Sequence, residues 1–191
     1  MNWWVFGVFS YLFLAFQSSL GTVLALPTNF GNVEPRFLLI LAVLVALHAP
    51  ARTTTIAWFI LGLLLDLTTV HDELSLVGPY TLGYLGAAYV ALQLRGSVLR
   101  RHPLTYVFLI LICGGAAHLI ITGVLTARVV VYAPPDGWSA VNQLVIRALS
   151  LVYTAVIGFI MAVPMLKISP LLGFQPAKVR GPRVGVSSPR R

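Results

Sequence analysis

The chain has 191 residues, of which 58% are hydrophobic and only 9% charged, against roughly 25% charged in an ordinary soluble domain. With a mean hydropathy of +0.90, it carries too little polar surface for a soluble globular enzyme and too much apolar side chain for a disordered one. The net charge of +8 would suggest nucleic acid in a soluble domain, but here the charges fall between and after long apolar runs, so no nucleic-acid partner is expected.

Runs of this length fit helices rather than the ~10-residue alternating strands of an outer-membrane barrel. The expected fold is an all-α integral membrane protein, a compact bundle of six transmembrane helices. The first span runs from Trp3 to Leu26 without a charge, and Pro27-Thr28-Asn29 breaks it. It is too long for the apolar core of a signal peptide, and no Lys or Arg precedes it, so it reads as a retained helix. The second runs from Pro35 to Ala49, with Pro35 suited to a first helical turn and Pro50 stopping it. At ~22 Å it is short for a bilayer. The third, from Thr53 to Val70, contains Asp66. The fourth runs from Pro79 to Leu94. The fifth runs from Leu104 to Thr126 and contains Cys113 and His118. The sixth runs from Asn142 to Leu166, with Arg147 near its start and Ser139 or Asn142 as its cap. The cluster Ala133-Pro134-Pro135-Asp136-Gly137 before it is a turn signal. Trp3, Trp4, Tyr80, Tyr106, Tyr132 and Trp138 lie near span ends, where interfacial aromatic residues belong. His48 and His102 are also at span ends.

Basic residues set the orientation. With the N-terminus, second loop, fourth loop and tail on one side, that side holds Arg52, Arg95, Arg100, Arg101, Lys167, Lys178, Arg180, Arg183, Arg190 and Arg191. The opposite side holds Arg36 and Arg128, and the loop around His71-Asp72-Glu73 has no Lys or Arg. The positive-inside rule then makes both termini cytoplasmic. If the short second span and the third formed a re-entrant pair, four spans would give the same result. Residues 167–191, rich in Pro, Gly, Ser and basic residues, read as a disordered cytoplasmic tail that orients the protein and touches anionic lipid. Docking of a cytoplasmic partner is the other reading of the tail.

Ionisable side chains inside spans call for partners, because burying a charge in a membrane costs a few kcal/mol. Asp66 lies ~18 Å along the third helix from Thr54, in the outer half, at a depth similar to that of Arg147 and Arg36. An ion pair of Asp66 with Arg147 or Arg36 is expected, fixing helix packing. A proton or substrate site and a contact to a partner protein are the alternatives. His118 follows Gly114-Gly115-Ala116-Ala117 near mid-span and reads as a neutral histidine hydrogen-bonded across helices. No His, Cys or carboxylate stands at ligand spacing from it, so no metal site is expected. Cys113, the single cysteine, excludes an intrachain disulfide. The stripe Gly83, Ala87, Ala91 and the pair Gly158, Ala162 suit close helix contacts. There is no Ser/His/Asp set at one depth, no paired carboxylates and no phosphate loop. No catalytic residue and no cofactor are expected.

Three strings carry a resemblance. Pro35-Arg36-Phe37-Leu38-Leu39-Ile40-Leu41 opens a short helix; Gly62-Leu63-Leu64-Leu65-Asp66-Leu67 closes the next; Leu76-Val77-Gly78-Pro79-Tyr80-Thr81-Leu82-Gly83-Tyr84-Leu85 follows a polar loop. This order resembles the MreD family of rod shape-determining membrane proteins, best over residues 33–92. The chain departs from the family pattern at Arg36, where an acid usually follows the proline; here the acid is Glu34. The basic tail is also longer than the family pattern suggests. The resemblance implies a non-enzymatic scaffold of the bacterial inner membrane. Such a scaffold would bind an MreC-like protein in the elongation machinery, with RodA, a penicillin-binding transpeptidase and MreB, and help organise lateral peptidoglycan synthesis and cell shape. It singles out Asp66, Gly62, Gly78 and Tyr80 by motif, beside Gly83 and Ala87 by packing. The rival reading is the substrate-binding membrane component of an energy-coupling-factor importer, with Asp66, Arg147, Arg36 and Asn142 lining an outward pocket.

Overall fold

The computed structural model describes residues 1–29, 31–69, 78–96, 103–132, 139–168 and 172–173. The expectations for His102, Trp138, the acidic loop, the Pro-Pro turn and nearly all of the basic tail lie outside them. So do the loop arginines Arg100 and Arg101.

Six helices and one small hairpin follow one another among the described residues: α1 (Trp3–Val23), β1 (Leu26–Thr28), β2 (Gly31–Val33), α2 (Phe37–His48), α3 (Ala51–Thr68), α4 (Pro79–Leu94), α5 (Pro103–Tyr132) and α6 (Ala140–Ile168). Four of them, α1, α3, α5 and α6, are long and apolar enough to cross a membrane. Large apolar side chains such as Val8, Tyr11, Tyr89, Val152 and Ile160 point outward. An apolar exterior of this extent suits lipid and not water.

The fourth helix has the expected bounds, and Pro79 occupies its first turn, where a missing N–H costs nothing. The first helix stops short of Leu26. Pro27 cannot continue it, and Leu26 instead pairs with Val33 in an antiparallel hairpin that the sequence reading did not foresee. The second helix starts at Phe37, leaving Pro35 two residues upstream. The fifth extends past Thr126 to Tyr132. The sixth includes Lys167 and Ile168, so the helical part of the chain reaches into the segment expected to be tail. Beyond it, Leu172 is buried, and its carbonyl accepts the backbone N–H of Asn2 at 2.9 Å.

The layout centres on α2. Every residue from Phe37 to Leu47 is buried, as expected for a helix that is apolar on all sides. It touches α1, α3, α4, α5 and α6, while α3, α4, α5 and α6 pack successively against one another. Two contacts in that series require glycine. A Cβ on Gly62 of α3 would sit 2.7 Å from Thr81 Cα, and one on Gly83 of α4 would sit 2.9 Å from the Ala117 carbonyl oxygen. Small residues thus let backbones meet, and Ala87 and Ala91 continue the buried stripe of α4.

Candidate functional site

Short helices inside a bundle create a specific problem. The first four N–H groups and last four carbonyls of a helix have no internal partner, and hydrocarbon offers none. The 12-residue α2 and the 16-residue α4 both end within reach of the core, and neighbouring helices supply the missing partners.

At the start of α4 the partner is Asp66. It is 1% exposed and stands in the last turn of α3. Its Oδ1 accepts the Tyr80 N–H at 3.0 Å, and its Oδ2 accepts the Thr81 N–H at 2.8 Å and the Thr81 hydroxyl. A carboxylate at a helix N-terminus also meets the positive end of the helix dipole. Gly78 precedes this turn at φ 134°, a conformation that favours glycine. Gly62 packs one turn earlier against the same residues. The motif residues Gly62, Asp66, Gly78 and Tyr80 are therefore brought together.

The start of α2 is served from two sides. The Arg36 N–H donates to Thr154 Oγ1 at 2.9 Å, and the Glu34 N–H donates to Ser150 Oγ at 3.3 Å. Leu38 N–H donates to Gln17 Oε1 at 3.3 Å. At its other end, the Ala49 carbonyl accepts from the Arg95 guanidinium and from Thr54 Oγ1. Gln17, Ser150 and Thr154 were not singled out from the sequence. Their one signal is a polar side chain inside an apolar run, and Ser or Thr there commonly bonds its own helix, as Thr154 also does to the Ser150 carbonyl at 2.6 Å.

The expected pairing of Asp66 with an arginine does not form; its carboxylate oxygens accept from the start of α4 instead. Arg147, 8% exposed, instead lies with its guanidinium carbon 5.7 Å from the centroid of the Tyr80 ring, a cation–π distance. Its Nε and Nη1, and Arg36 Nε, are buried without hydrogen-bond partners among the described residues. The expectation for His118 also fails. It is buried, but neither ring nitrogen has a hydrogen-bond partner among the described residues; it shares a cavity with Arg36, Leu39, Leu65, Tyr80 and Tyr84.

Arg36, Tyr80, Tyr84 and His118 line one cavity with Leu39, Leu65, Gly114 and Ala117. Its volume is about 10 Å³, room for about one water. Ser139 caps α6, accepting the Asn142 N–H at 3.4 Å. Asn142 itself is not among the residues that line this cavity. Cys113 is fully buried. Among the described residues, no group of three His, Cys, Asp or Glu side chains could hold a metal ion.

No family model, curated protein or solved structure matches the chain.

Proposed function

We propose that this chain is a non-enzymatic scaffold of the bacterial inner membrane, similar to MreD. In this reading it binds an MreC-like partner within the elongation machinery, alongside RodA, a transpeptidase and MreB. The observation that carries the reading is the use of Asp66. The acid in the second of the resembling strings holds the third in place, with three hydrogen bonds to Tyr80 and Thr81. An acid whose two oxygens both hold the start of the next helix supports architecture.

The topology that goes with this reading has six crossings and both termini cytoplasmic. The bond from Asn2 to Leu172 supports an even number of crossings, since it joins the two ends of the helical region. Helix α2 would be only ~18 Å long against a hydrocarbon thickness of ~30 Å. Its burial on all sides and its side-chain caps make such a short crossing tolerable. The basic tail would meet anionic lipid.

An importer's substrate-binding component is the second reading, and the cavity is the feature that favours it. Small-molecule sites generally run ~300–1,000 Å³ with a few convergent polar groups. The cavity at His118 holds about 10 Å³, and the roomier pocket of about 250 Å³ between α1 and α3 is lined by residues such as Phe6, Ser10, Tyr11, Ile60 and Leu64 with no charged side chain, so neither gives that reading much support. The test is cell shape. Replacing the protein with Asp66→Ala in its source cell should round or widen the cells while leaving small-molecule uptake intact. Unchanged shape, with the variant absent from the membrane, would contradict the scaffold reading.

A further inference from the structure

Among the described residues, Arg36 and Arg147 form no ion pair with an acid. Arg36, at the N-terminus of α2, lines the cavity, and Arg147 covers the ring of Tyr80, which lines it too. Both guanidinium groups are close enough to bear electrostatically on Tyr80 and His118. The chain has only five acids. Asp66 is committed to α4. Glu34 is directed at α1, its Oε2 lying 3.9 Å from where a Cβ on Gly21 would be. Asp72, Glu73 and Asp136 lie outside the described residues.

Burying cations without a counter-charge is strongly unfavourable. It becomes favourable when an anion joins them. Among the described residues, Arg36 Nε and Arg147 Nε and Nη1 are donors without a partner, and neither ring nitrogen of His118 has one. That side chain is more than nine-tenths buried, and its neutral ring donates from one nitrogen. The positive end of the α2 dipole adds to the same field. Guanidinium groups match the oxygens of a phosphate through paired, planar donors. Arg36 is only half-buried, so the cluster is reachable. The cavity admits one oxygen-sized atom, which suits an oxyanion that inserts a single oxygen and leaves its remainder at the rim.

We infer that the cavity lined by Arg36, Tyr80 and His118, with Arg147 over the ring of Tyr80, is a binding site for a phosphate-class oxyanion. Its source is either the headgroup of an anionic phospholipid or a free phosphate. The site does not depend on the scaffold reading: a protein with no elongation partner would still bind the anion, and a scaffold without the anion would still bind its partner.

The test uses the purified full-length protein in nonionic detergent. Phosphatidylglycerol, diacylglycerol as its phosphate-free counterpart, and inorganic phosphate are titrated in turn, with bound adducts counted by native mass spectrometry. One phosphatidylglycerol should bind tightly and diacylglycerol should not, or inorganic phosphate should bind in its place. Retention of the lipid against excess inorganic phosphate assigns a headgroup; displacement by it assigns a free anion. Arg36→Gln and Arg147→Gln should each weaken binding about tenfold or more, the effect of losing a charge-assisted hydrogen bond. The basic tail is the same in every variant, so this difference isolates the cavity. Equal binding by wild type and both variants, or no binding of either probe, overturns the proposal. Should the arginine variants fail to fold, the wild-type protein still decides. The imidazole resonances of His118, assigned by loss in His118→Gln, should shift on addition of the bound probe, and resonances that stay put overturn the site.

Discussion

Asp66 Oδ2 accepts the backbone N–H of Thr81 at 2.8 Å, joining the last turn of α3 to the first turn of α4. The acid, Gly62 at its back and the positive-φ Gly78 before α4 bring these two helix ends together.

Removing the acid should release this joint. Asp66→Ala leaves two buried backbone donors without acceptors, each worth about 1–3 kcal/mol. Stability in a detergent-to-SDS unfolding titration should fall by about 2–4 kcal/mol. Asp66→Asn keeps one acceptor oxygen and should lie between wild type and Asp66→Ala. Equal stability of all three would show that α4 does not need the cap.

The close approach of α3 and α4 predicts a contrast between two glycines. A Cβ on Gly62 meets Thr81 Cα at 2.7 Å, whereas one on Gly7 meets nothing within 4 Å. Gly62→Ala should cost about 1–3 kcal/mol, as overpacking does. Gly7→Ala should be neutral or slightly stabilising, since alanine is the better helix former. The same unfolding titration checks both, and a reversed order would contradict the packing.

The caps of α2 predict two independent losses. Thr154→Val frees the Arg36 N–H and Gln17→Leu frees the Leu38 N–H, each costing about 1–2 kcal/mol. The two changes remove different bonds from different helices. Their effects should add to within about 0.5 kcal/mol, and a strong coupling in the double variant would show that the N-terminus of α2 is held some other way.

How far the sequence anticipated these features depends on the interaction. Apolar runs and proline punctuation located all six helices, since chain length and missing N–H groups are local properties; α4 matches at both ends. The small stripe Gly83, Ala87, Ala91 was legible for the same reason. The partner of Asp66 was not. Pairing was argued from charge and depth, yet backbone N–H groups at a helix terminus compete for a carboxylate without leaving any mark in the sequence. Gln17, Ser150 and Thr154 were missed for a related reason: what they serve is a main-chain atom more than twenty residues away. The buried hairpin residue Val33 belongs to a pairing set by tertiary packing against α6. Three-residue strands have too short a pattern to read.

The approach of Gly173 to Asn2 predicts a crosslink. A Cβ on Gly173 would lie 3.7 Å from Asn2 Cβ, within the usual ~3.5–4.5 Å separation of a disulfide. Asn2→Cys combined with Gly173→Cys should form an intramolecular disulfide under mild oxidation, seen as a reducible mobility shift. Buried Cys113 should not compete. Absence of the shift would separate the two ends and remove a support for an even number of crossings.

The scaffold role is tested by gentle-detergent affinity purification of the full-length protein from its native membranes, with partners identified by mass spectrometry. A scaffold of this kind should bring down an MreC-like protein together with RodA or a penicillin-binding transpeptidase. Recovery of an ATPase pair with a coupling membrane subunit, and none of those partners, would contradict it in favour of an importer.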